Sequence, residues 1–500
     1  MTVDDSQPGG AQRQSIWRPP YVTVTVANLT VVALVAFDGL AIVAALPSIT
    51  DDLGDVALVP WVITGFLATS AIAGLAAGPV IDAVGVRRTF RVTGVWFLIT
   101  SVLVAVAPNM ETLVAARVLQ GFGGGLVIAV ALAAVGLAYP VALRPRAFAA
   151  NSMVWGTLGF GGPVIVAGLL AIGSWRLVFL AQIPLTVVAL AMGWRALPST
   201  REKPIRIQID WHGVGLITGL VVASLVGVAS VGSTWAGATV GVAIAAACAA
   251  LLWRHSGRPG DPVLARVHLT RFPLRRIHVT SGMVLIAGLA ADNYLPLYTR
   301  TVKGWSESAA AFSVMFLTIG WTAAAFVVSR VVGRRSEADL ILFGSLLSVP
   351  ALVLAGGAVA ADWPAAVVLG AYFVVGLAVG FISTAGLNLL QASSDPAEMG
   401  RTNSAHQFIR TLCITYGVAI GGAVLLFVVD RQAGDVEAVR ELLGGDDTDV
   451  DPATIDGIRD GFAAVHLFSV AAAVACVAAA LVLWRQTRTR DTKPVTLPQR

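Results

Sequence analysis

The sequence predicts an all-α integral membrane protein with fourteen spans, arranged as two six-helix bundles with two inserted helices between them. Three observations support this prediction. Hydrophobic residues make up 56% of the 500 residues and charged residues only 13%, whereas a soluble globular domain carries roughly 25% charged residues. Long apolar segments recur along the whole chain. The loops between them alternate between basic and acidic character, as expected for a multi-pass protein.

Apolar segments of sufficient length define the spans. A bilayer core about 30 Å thick needs roughly 20 residues of apolar helix. By that measure the predicted spans are 22–47, 59–80, 90–108, 112–138, 148–171, 176–195, 212–232, 236–254, 278–299, 307–329, 339–358, 364–388, 404–429 and 462–484. An even number of spans places both termini on the same side of the membrane.

Basic residues orient these spans, because basic loops stay in the cytoplasm. The basic loops hold Arg87, Arg88 and Arg91, then Arg144 and Arg146, the stretches 201–206 and 254–276, then Arg330, Arg334 and Arg335, and the tail 485–490. We therefore expect a multi-pass protein of the cell membrane with both termini in the cytoplasm. The polar N-terminus does not resemble a signal peptide.

The predicted regions follow from the span count. They are a cytoplasmic N-terminal tail at 1–20, an N-terminal six-helix bundle at 21–195, cytoplasmic linkers with the two inserted transmembrane helices at 196–277, a C-terminal six-helix bundle at 278–484 with an external acidic loop at 430–461, and a cytoplasmic tail at 485–500. A solvated external loop is the simpler interpretation of 430–461, and collection of cationic ligands or contact with an envelope partner is the alternative.

A weak internal repeat relates the two predicted bundles. The matched positions are Leu46-Pro47 with Leu295-Pro296, Asp82 with Arg330, Gly85 with Gly333, and Arg87 with Arg335. Internal repeats are common in secondary transporters. The repeat therefore indicates a transporter built by duplication, with an acid replaced by an arginine in the second copy.

The segment Gly78-Pro-Val-Ile-Asp82-Ala-Val-Gly85-Val-Arg87-Arg88 closes the second span. Glycines permit close packing, an acid can cap a neighbouring helix N-terminus, and arginines can bind acids or helix C-termini. A basic loop alone would explain the arginines but not the spaced glycines and the acid. The segment resembles the loop motif of the major facilitator superfamily, between its second and third helices. The resemblance implies a major-facilitator-type fold, in which Gly78, Asp82, Gly85, Arg87 and Arg88 form a conformational latch.

Span 4 carries an arginine inside the membrane, in Arg117-Val-Leu-Gln120-Gly121. Intramembrane charges are costly and are usually functional or paired. The segment resembles the fourth-helix motif of the same superfamily, which implies that Arg117 acts in conformational change or proton coupling. Snorkelling to the outer end of the helix and structural pairing are the alternatives.

Span 5 contains Gly156-Thr-Leu-Gly159-Phe-Gly-Gly162-Pro163, followed by Gly168. Small residues four apart form a groove for a neighbouring helix, and the proline permits a bend. The segment resembles the fifth-helix motif associated with antiporters of the superfamily, which implies that Gly159, Gly162, Pro163 and Gly168 form the antiporter motif. Generic packing of small residues is the alternative.

Asp38 lies near the predicted midplane of span 1 and is followed by Leu46-Pro47. This order resembles the first-helix motif of the fourteen-span drug:proton antiporters. A lone carboxylate at that depth would be desolvated, which favours binding of a proton. A site that holds either a proton or a cargo, but not both, couples export to proton entry. A structural hydrogen bond to a neighbouring helix is the alternative.

A second intramembrane acid, Asp292, lies near the end of span 9, and Arg410 in span 13 is the most plausible opposite charge in the same bundle. We expect both to take part in proton coupling, with capping of the outer end of span 9 as the alternative for Asp292. For His406, a polar residue near the start of span 13 is favoured over a proton relay.

Four aromatic residues are candidates for a substrate cavity between the bundles: Trp155, Tyr294, Tyr298 and Phe316. Aromatic side chains are also common anchors at membrane interfaces. Each alone is therefore weak support for a cavity.

The sequence favours a transporter over an enzyme. A phosphate-binding loop would end in Gly-Lys-Ser or Gly-Lys-Thr, and none of Lys203, Lys303 and Lys493 lies in that context. We predict a proton-coupled antiporter of the multidrug-efflux type that exports hydrophobic or cationic small molecules by alternating access. It would work as a monomer in the lipid bilayer, with the proton gradient instead of a cofactor, without a metal and without nucleic acid. The alternatives are an uptake symporter for a specific metabolite and an exporter of an envelope lipid or secondary metabolite.

Overall fold

The computed structural model of the protein describes residues 15–54, 58–198, 210–230, 235–258, 262–306, 309–310, 312–434, 439 and 451–491. Across these ranges the regular structure is helical. The described residues form no β-strand, and Val332 and Arg335 form an isolated β-bridge. The helices are α1 (Val22–Leu53), α2 (Val59–Val84), α3 (Val86–Ala105), α4 (Met110–Ala138), α5 (Arg144–Ile172), α6 (Arg176–Leu180), α7 (Gln182–Ala196), α8 (Trp211–Ala229), α9 (Trp235–His255), α10 (Arg266–Thr270), α11 (Leu274–Asp292), α12 (Leu295–Thr301), α13 (Met315–Val331), α14 (Glu337–Ala360), α15 (Ala365–Ala392), α16 (Met399–Gln432) and α17 (Pro452–Asp491).

Every predicted span overlaps one of these helices or a consecutive pair. Twelve segments of the described residues are long and apolar enough to cross a membrane by length and composition, and a shorter apolar helix covers Trp211–Ser224. Helices suit a bilayer because they satisfy their backbone polar groups internally. The prediction of an all-α membrane fold is confirmed, while the count of fourteen spans stays a prediction.

Two predicted spans are divided in the structure. The sixth is interrupted at Ala181, between α6 and α7, and the ninth at Asn293 and Tyr294, between α11 and α12. Pro296 lies in the first turn of α12. Proline has no backbone N–H and its ring clashes with the preceding turn, so it kinks or breaks a helix, and here a new helix begins at its position.

The helices pack as two groups. In the first bundle α1 packs against α4, α5 and α7. Helix α4 also packs against α2 and α3. In the second bundle α11 packs against α15, α16 and α17, while α14 packs against α15 and α17. We call the end that carries Gly85, Arg144 and Gly333 the basic end, and the end that carries Asp52 and Asp362 the acidic end.

Two helix pairs make the most extensive contacts between the bundles. Helix α2 packs against α16, and α5 packs against α13. In the second pair, the Thr322 hydroxyl donates to the Ser152 carbonyl at 3.1 Å. A Cβ on Gly156 would lie 3.0 Å from the Thr322 hydroxyl oxygen, so the two helices approach closely there.

The internal repeat is visible in the backbone. Gly85 has φ 90° and Gly333 has φ 89°, a region that only glycine occupies without strain. Each glycine ends a helix that packs across the bundle interface, α2 in one half and α13 in the other. The two glycine positions matched in the sequence therefore have the same local conformation.

Helices α8 and α9 pack against each other, and α8 also contacts α2 and α16. Asp210 anchors this inserted pair by accepting hydrogen bonds from the Gly213 N–H at 2.9 Å, the Val263 N–H at 3.1 Å and the His255 Nε2 at 2.8 Å. Burial raises the pKa of the Asp210 carboxyl, but these hydrogen bonds and the His255 ring outweigh burial, so its pKa lies below the usual value.

The predicted regional boundaries at 21–195, 196–277 and 278–484 stay predictions. Residues 1–14, 199–209 and 492–500 lie outside the described residues, as do 435–438 and 440–450 of the predicted acidic loop. At the edges of that loop, the Gln432 side chain donates to the Asp460 carboxylate at 3.1 Å, which joins the end of α16 to α17.

Candidate functional site

A buried ion pair lies near the middle of α1. The Nη1 atom of Arg117, on α4, is 2.9 Å from both carboxylate oxygens of Asp38. The side chains are 1% and 0% exposed. The guanidinium carbon of Arg117 also lies 4.2 Å from the centroid of the Phe66 ring, a cation–π contact that favours the charged form. The first bundle therefore holds two opposite charges in its apolar interior.

Three polar side chains extend the ion pair. Gln182, on α7, donates to Asp38 Oδ1 at 2.9 Å. Arg117 donates to Gln120 Oε1 at 2.7 Å, and Gln120 Nε2 donates to Ser101 Oγ at 3.0 Å. The network connects α1, α3, α4 and α7. Sequence analysis did not single out Gln182 or Ser101, although a polar residue inside an apolar span is a signal for both.

This geometry corrects the expectation that Asp38 is a lone carboxylate. Asp38 has a direct partner in Arg117, and Arg117 is too deeply buried to snorkel. Arg117 is paired with Asp38, and its role in conformational change or proton coupling stays a prediction. Removing one member of a buried pair leaves an uncompensated charge, at a cost of about 3–5 kcal/mol. The pair is therefore a site at which addition of one proton has a large energetic effect.

Asp82 joins the two bundles at the basic end. Its carboxylate accepts hydrogen bonds from the backbone N–H groups of Gly400 at 2.9 Å and Arg401 at 3.0 Å. The Arg401 Nε lies 3.8 Å from the same carboxylate. These N–H groups belong to the first turn of α16, where the helix has unpaired donors and a positive partial charge. We call this arrangement the Asp82 contact, and it is the helix capping that the 78–88 motif predicts.

Glycines allow the Asp82 contact to form. A Cβ on Gly78 would lie 2.7 Å from the Cα of Arg401, and a Cβ on Gly400 would lie 2.6 Å from an Asp82 carboxylate oxygen. Both distances are shorter than real Cβ contacts. The backbones of α2 and α16 therefore meet without side chains between them.

The arginines of the 78–88 motif lie on the other side of the turn. Arg87 Nε donates to the carbonyl of Leu197 at 2.6 Å, just beyond the end of α7. A cation at a helix C-terminus is favourable because carbonyl groups are unpaired there. The Arg88 side chain is exposed. Arg87 thus stabilises the first bundle internally, whereas Asp82 contacts the second.

In the second bundle the structure does not pair Asp292 with Arg410. Asp292 is buried, its Oδ1 has no hydrogen-bond partner, and no ion pair joins it to Arg410 within the described part of the chain. The guanidinium carbon of Arg410 lies 5.7 Å from the centroid of the Trp321 ring. At about 1.5 Å per helical residue, Asp292 lies about 27 Å and Arg410 about 16 Å from the starts of α11 and α16. The two residues are therefore at different depths.

The predicted cavity residues separate into two groups. Tyr298 is fully buried and stacks on Phe462 at a centroid distance of 4.9 Å, and the Tyr294 hydroxyl donates to the Val418 carbonyl at 2.8 Å. Both pack inside the second bundle. Trp155 and Phe316 are exposed and lie on α5 and α13, the helices that meet across the interface. Their role in a cavity stays a prediction.

Comparison with known protein families identifies the fold. A family model described as the Major Facilitator Superfamily matches residues 29–210 and 211–418, which is most of the chain. The chain belongs to the Major Facilitator Superfamily. The predictions of the superfamily and of an all-α membrane fold are confirmed, while membership of the fourteen-span drug:proton antiporter group stays a prediction.

Individual relatives agree with this assignment. The chain is 28% identical over 411 residues to "Uncharacterized MFS-type transporter Rv1877" of Mycobacterium tuberculosis, covering 80% of this chain and 59% of that protein. It is 26% identical over 443 residues to "Probable multidrug-efflux transporter Rv1634" of the same organism, covering 87% of this chain and 93% of that protein. The crystal structure of the human organic anion transporter MFSD10 superposes with a TM-score of 0.62 at 14% identity, covering 93% and 100% of the two chains. That likeness shows the shared fold.

The fifth-helix motif of this superfamily member lies on α5. Gly162 is buried, whereas a Cβ on Gly168 would meet no atom within 4 Å, so Gly168 faces open space. The side chains of Gly159 and Pro163 lie outside the described residues. At Gly156, the side chain of Thr322 from α13 packs into the groove that the motif predicts. The assignment of this motif to antiport stays a prediction.

The two bundles differ in their buried acids. Among the described residues, no group of three or more His, Cys, Asp or Glu side chains could hold a metal ion. Asp38 in the first bundle is paired with Arg117, whereas Asp292 in the second bundle is buried without an ion-pair partner. Within the described residues, the first bundle therefore has a paired buried acid and the second an unpaired one.

Proposed function

We propose that the protein is a proton-coupled exporter of hydrophobic or cationic small molecules that works by alternating access. The basic end would face the cytoplasm, since basic loops are retained there, and both termini would be cytoplasmic. The transporter would act as a monomer in the plasma membrane and use the proton gradient without a cofactor. The likeness to a relative named as a probable multidrug-efflux transporter supports this choice.

The observation that carries the proposal is the buried Asp38–Arg117 pair. With Asp38 ionised, the pair has no net charge, and a cationic cargo can approach it. With Asp38 protonated, Arg117 leaves a net positive charge that repels the same cargo. In a medium of low dielectric constant that repulsion is large. Proton and cationic cargo would therefore exclude one another, which is the requirement for antiport.

The Asp82 contact supports the alternating-access part of the proposal. It closes the basic end in this conformation by binding the start of α16 to α2. Inward opening would break two hydrogen bonds and one weak ion pair at this point. Trp155 and Phe316, exposed on the two helices of the other interface, would contact a hydrophobic cargo.

Transport into proteoliposomes with an acidic lumen tests the proposal directly. Ethidium serves as the probe, because a permanent cation is not trapped by protonation. An antiporter in either orientation exchanges luminal protons for external ethidium, and each pH unit is a factor of about ten in the accumulation ratio for one-to-one exchange. We expect accumulation by the parent protein and none by Asp38→Asn.

The matched control is Asp362→Asn. It makes the same chemical change at an exposed acid in the turn between α14 and α15. It should transport as the parent does. Equal accumulation by the parent and Asp38→Asn would contradict the role of Asp38. Uptake driven by an acidic medium instead of an acidic lumen would identify a symporter. Failure to transport ethidium, with transport of a lipid or a neutral metabolite, would favour an exporter of an envelope lipid or secondary metabolite.

A further inference from the structure

Three buried histidines lie together at the basic end of the second bundle. They are His268 on α10, His278 on α11 and His406 on α16, and His406 is only 1% exposed. The Nδ1 atoms of His278 and His406 are 3.0 Å apart. None of the three takes part in the Asp38 site. His406 is in the second turn after Arg401, so the group lies close to the Asp82 contact.

The hydrogen bonds determine which nitrogen of each ring carries a proton. The Nε2 of His278 is 3.0 Å from the backbone carbonyl of His268. A carbonyl can only accept, so His278 Nε2 carries a hydrogen, and its Nδ1 is the acceptor in a neutral ring. The Nδ1 of His406 must then donate to it. The remaining nitrogen, His406 Nε2, is an acceptor, and it is buried without a hydrogen-bond partner.

This arrangement accepts one proton without losing the bond between the rings. A proton on His406 Nε2 makes that ring an imidazolium, which still donates through Nδ1 to neutral His278. Charge-assisted hydrogen bonds of this kind are stronger than neutral ones. A second proton would have to occupy the His278 Nδ1 that accepts the bond. The pair therefore has a capacity of one proton while α11 and α16 stay joined.

The charged and titratable groups around the pair come from several elements. They are Arg401, Arg410 and Cys413 on α16, Glu398 in the turn before it, Asp82 on α2, His268 and Arg271 at α10, and Arg275 and Arg276 at the start of α11. The residues packed there from α4, α8, α15 and α17 are uncharged, namely Gly136, Ile217, Leu220, Gln391 and Cys476. Burial lowers the pKa of His268, which disfavours the charged form of that ring.

A proton on the pair would face an excess of positive charge. Arg410 is four residues from His406 on the same helix, the spacing at which like charges repel. The Asp82 carboxylate is already bound by two backbone amides and lies beside Arg401. A buried cation without its own counter-ion is costly, and hydration relieves that cost.

We propose that the His278–His406 pair is a proton-binding site whose occupancy favours separation of α16 from α2 at the basic end. Thr402 connects the two features, because its hydroxyl is 3.3 Å from His268 Nδ1 and its backbone follows Arg401 in the first turn of α16. Opening of the basic end exposes the start of α16 to water and stabilises the protonated pair. The proton thus has higher affinity for the open conformation than for the closed one.

Distance measurement between spin labels tests the coupling without any cargo. Labels on Val141 and Ala397, both exposed at the basic end on opposite bundles, are attached through unnatural amino acids, which leaves the three native cysteines in place. Between about pH 8 and about pH 5, where imidazole titrates, the parent should shift towards longer distances. A one-unit difference in proton affinity between the conformations corresponds to a roughly tenfold change in their ratio.

His406→Gln is the decisive variant, because glutamine can donate to His278 but does not titrate. It should keep the closed distance at high pH and respond less to acid than the parent does, since protonation of the Asp82 carboxylate weakens the same contact in both proteins. His466→Gln is the matched control: His466 is also buried, but both its nitrogens are hydrogen-bonded, to the Tyr372 hydroxyl at 3.1 Å and the Phe462 carbonyl at 2.7 Å. It should respond as the parent does. A parental response in His406→Gln, or an equal loss in both variants, would overturn the proposal.

A second measurement needs no substitution in the pair. Nitrogen NMR of histidine-labelled parent protein should show one ring becoming charged as the distance lengthens, with the N–H···N coupling retained. Two rings that stay neutral throughout the conformational change would also overturn the proposal. Ethidium accumulation by Asp38→Asn and the acid response of the distance in His406→Gln are separate measurements, so failure of proton exchange at Asp38 is distinguishable from failure of the histidine site.

Discussion

The turns after α2 and α13 each contain a glycine with nearly the same positive φ, but their chemistry differs. Gly85 and Gly333 have φ values of 90° and 89°. The first turn is preceded by Asp82, which caps α16, whereas the second is preceded by Arg330, and the start of α5 has no side-chain cap. The glycine φ is therefore shared, and among the described residues a carboxylate bridges the bundles at the first turn and not at the second.

This difference shows how the two interfaces are stabilised. The α2–α16 interface has an ionised group that bonds to a helix N-terminus, so it is sensitive to charge. The α5–α13 interface is held by Thr322, the Ser152 carbonyl and close packing at Gly156. The buried charges follow the same division, since Asp38 is paired in the first bundle and Asp292 is unpaired in the second.

The largest expected effect is a difference in stability between loss of Arg117 in the first bundle and loss of Arg410 in the second. Arg117→Ala leaves Asp38 buried without its partner and should lower the free energy of unfolding by about 3–5 kcal/mol. Arg410→Ala removes no ion pair and should cost less. Thermal unfolding in detergent compares the two. The double variant Asp38→Leu/Arg117→Met should regain stability, and equal losses for the two single variants would remove the distinction between the bundles.

The next effect concerns the interface itself. Asp82→Asn replaces a carboxylate that accepts two backbone hydrogen bonds with an amide that has one acceptor oxygen. Hydrogen bonds to charged groups contribute about 1.5–3 kcal/mol each, so the closed conformation should lose roughly tenfold or more in population. Spin-label distances between the basic ends measure this change. Arg330→Gln is the matched control and should leave the distances unchanged.

Substitution of the turn glycines tests the part that the halves share. Gly85→Ala and Gly333→Ala each force a side chain into a strained conformation, at a cost of about 1–3 kcal/mol. The two losses of stability should be similar, because the φ values agree. Thermal unfolding measures both. A large difference between them would show that the surroundings of one turn, and not its backbone, dominate the cost.

The smallest effect lies outside both bundles, at Asp210. Its pKa is lower in the folded protein than in the unfolded chain, so its hydrogen bonds stabilise the fold above the unfolded value of about 3.9. That stability is lost as the pH falls through this range towards the folded pKa. The midpoint of thermal unfolding should fall more steeply with acid in the parent than in Asp210→Asn. Parallel curves would contradict this assignment.

Local sequence signals identified the helices and the turns. Hydropathy identified the segments that form the described helices other than α10, which lies in a predicted linker. The spacing of Gly78, Asp82 and Gly85 predicted the capping of a neighbouring helix. These features depend on residues close together in the chain. The breaks at Ala181 and Asn293 were missed, although Pro296 was a local signal for the second.

Contacts between distant helices could not be predicted in the same way. Asp38 and Arg117 meet because α1 and α4 are rotated to face each other, and hydropathy does not report helix rotation. The same reason explains why Gln182 and the His278–His406 pair were missed. Asp292 and Arg410 were expected to be partners because they were opposite charges in one bundle, but their depths along the helices differ.

The Asp82 contact has a consequence for how this interface is recorded in sequences. Its donors on α16 are backbone amides, which any residue other than proline would supply. The partner helix therefore needs no matching polar side chain. The requirement on α16 is a glycine at position 400, because a Cβ there would lie 2.6 Å from the Asp82 carboxylate. On α2 the contact requires the Asp82 carboxylate. On α16 it requires free backbone N–H groups and no Cβ at position 400.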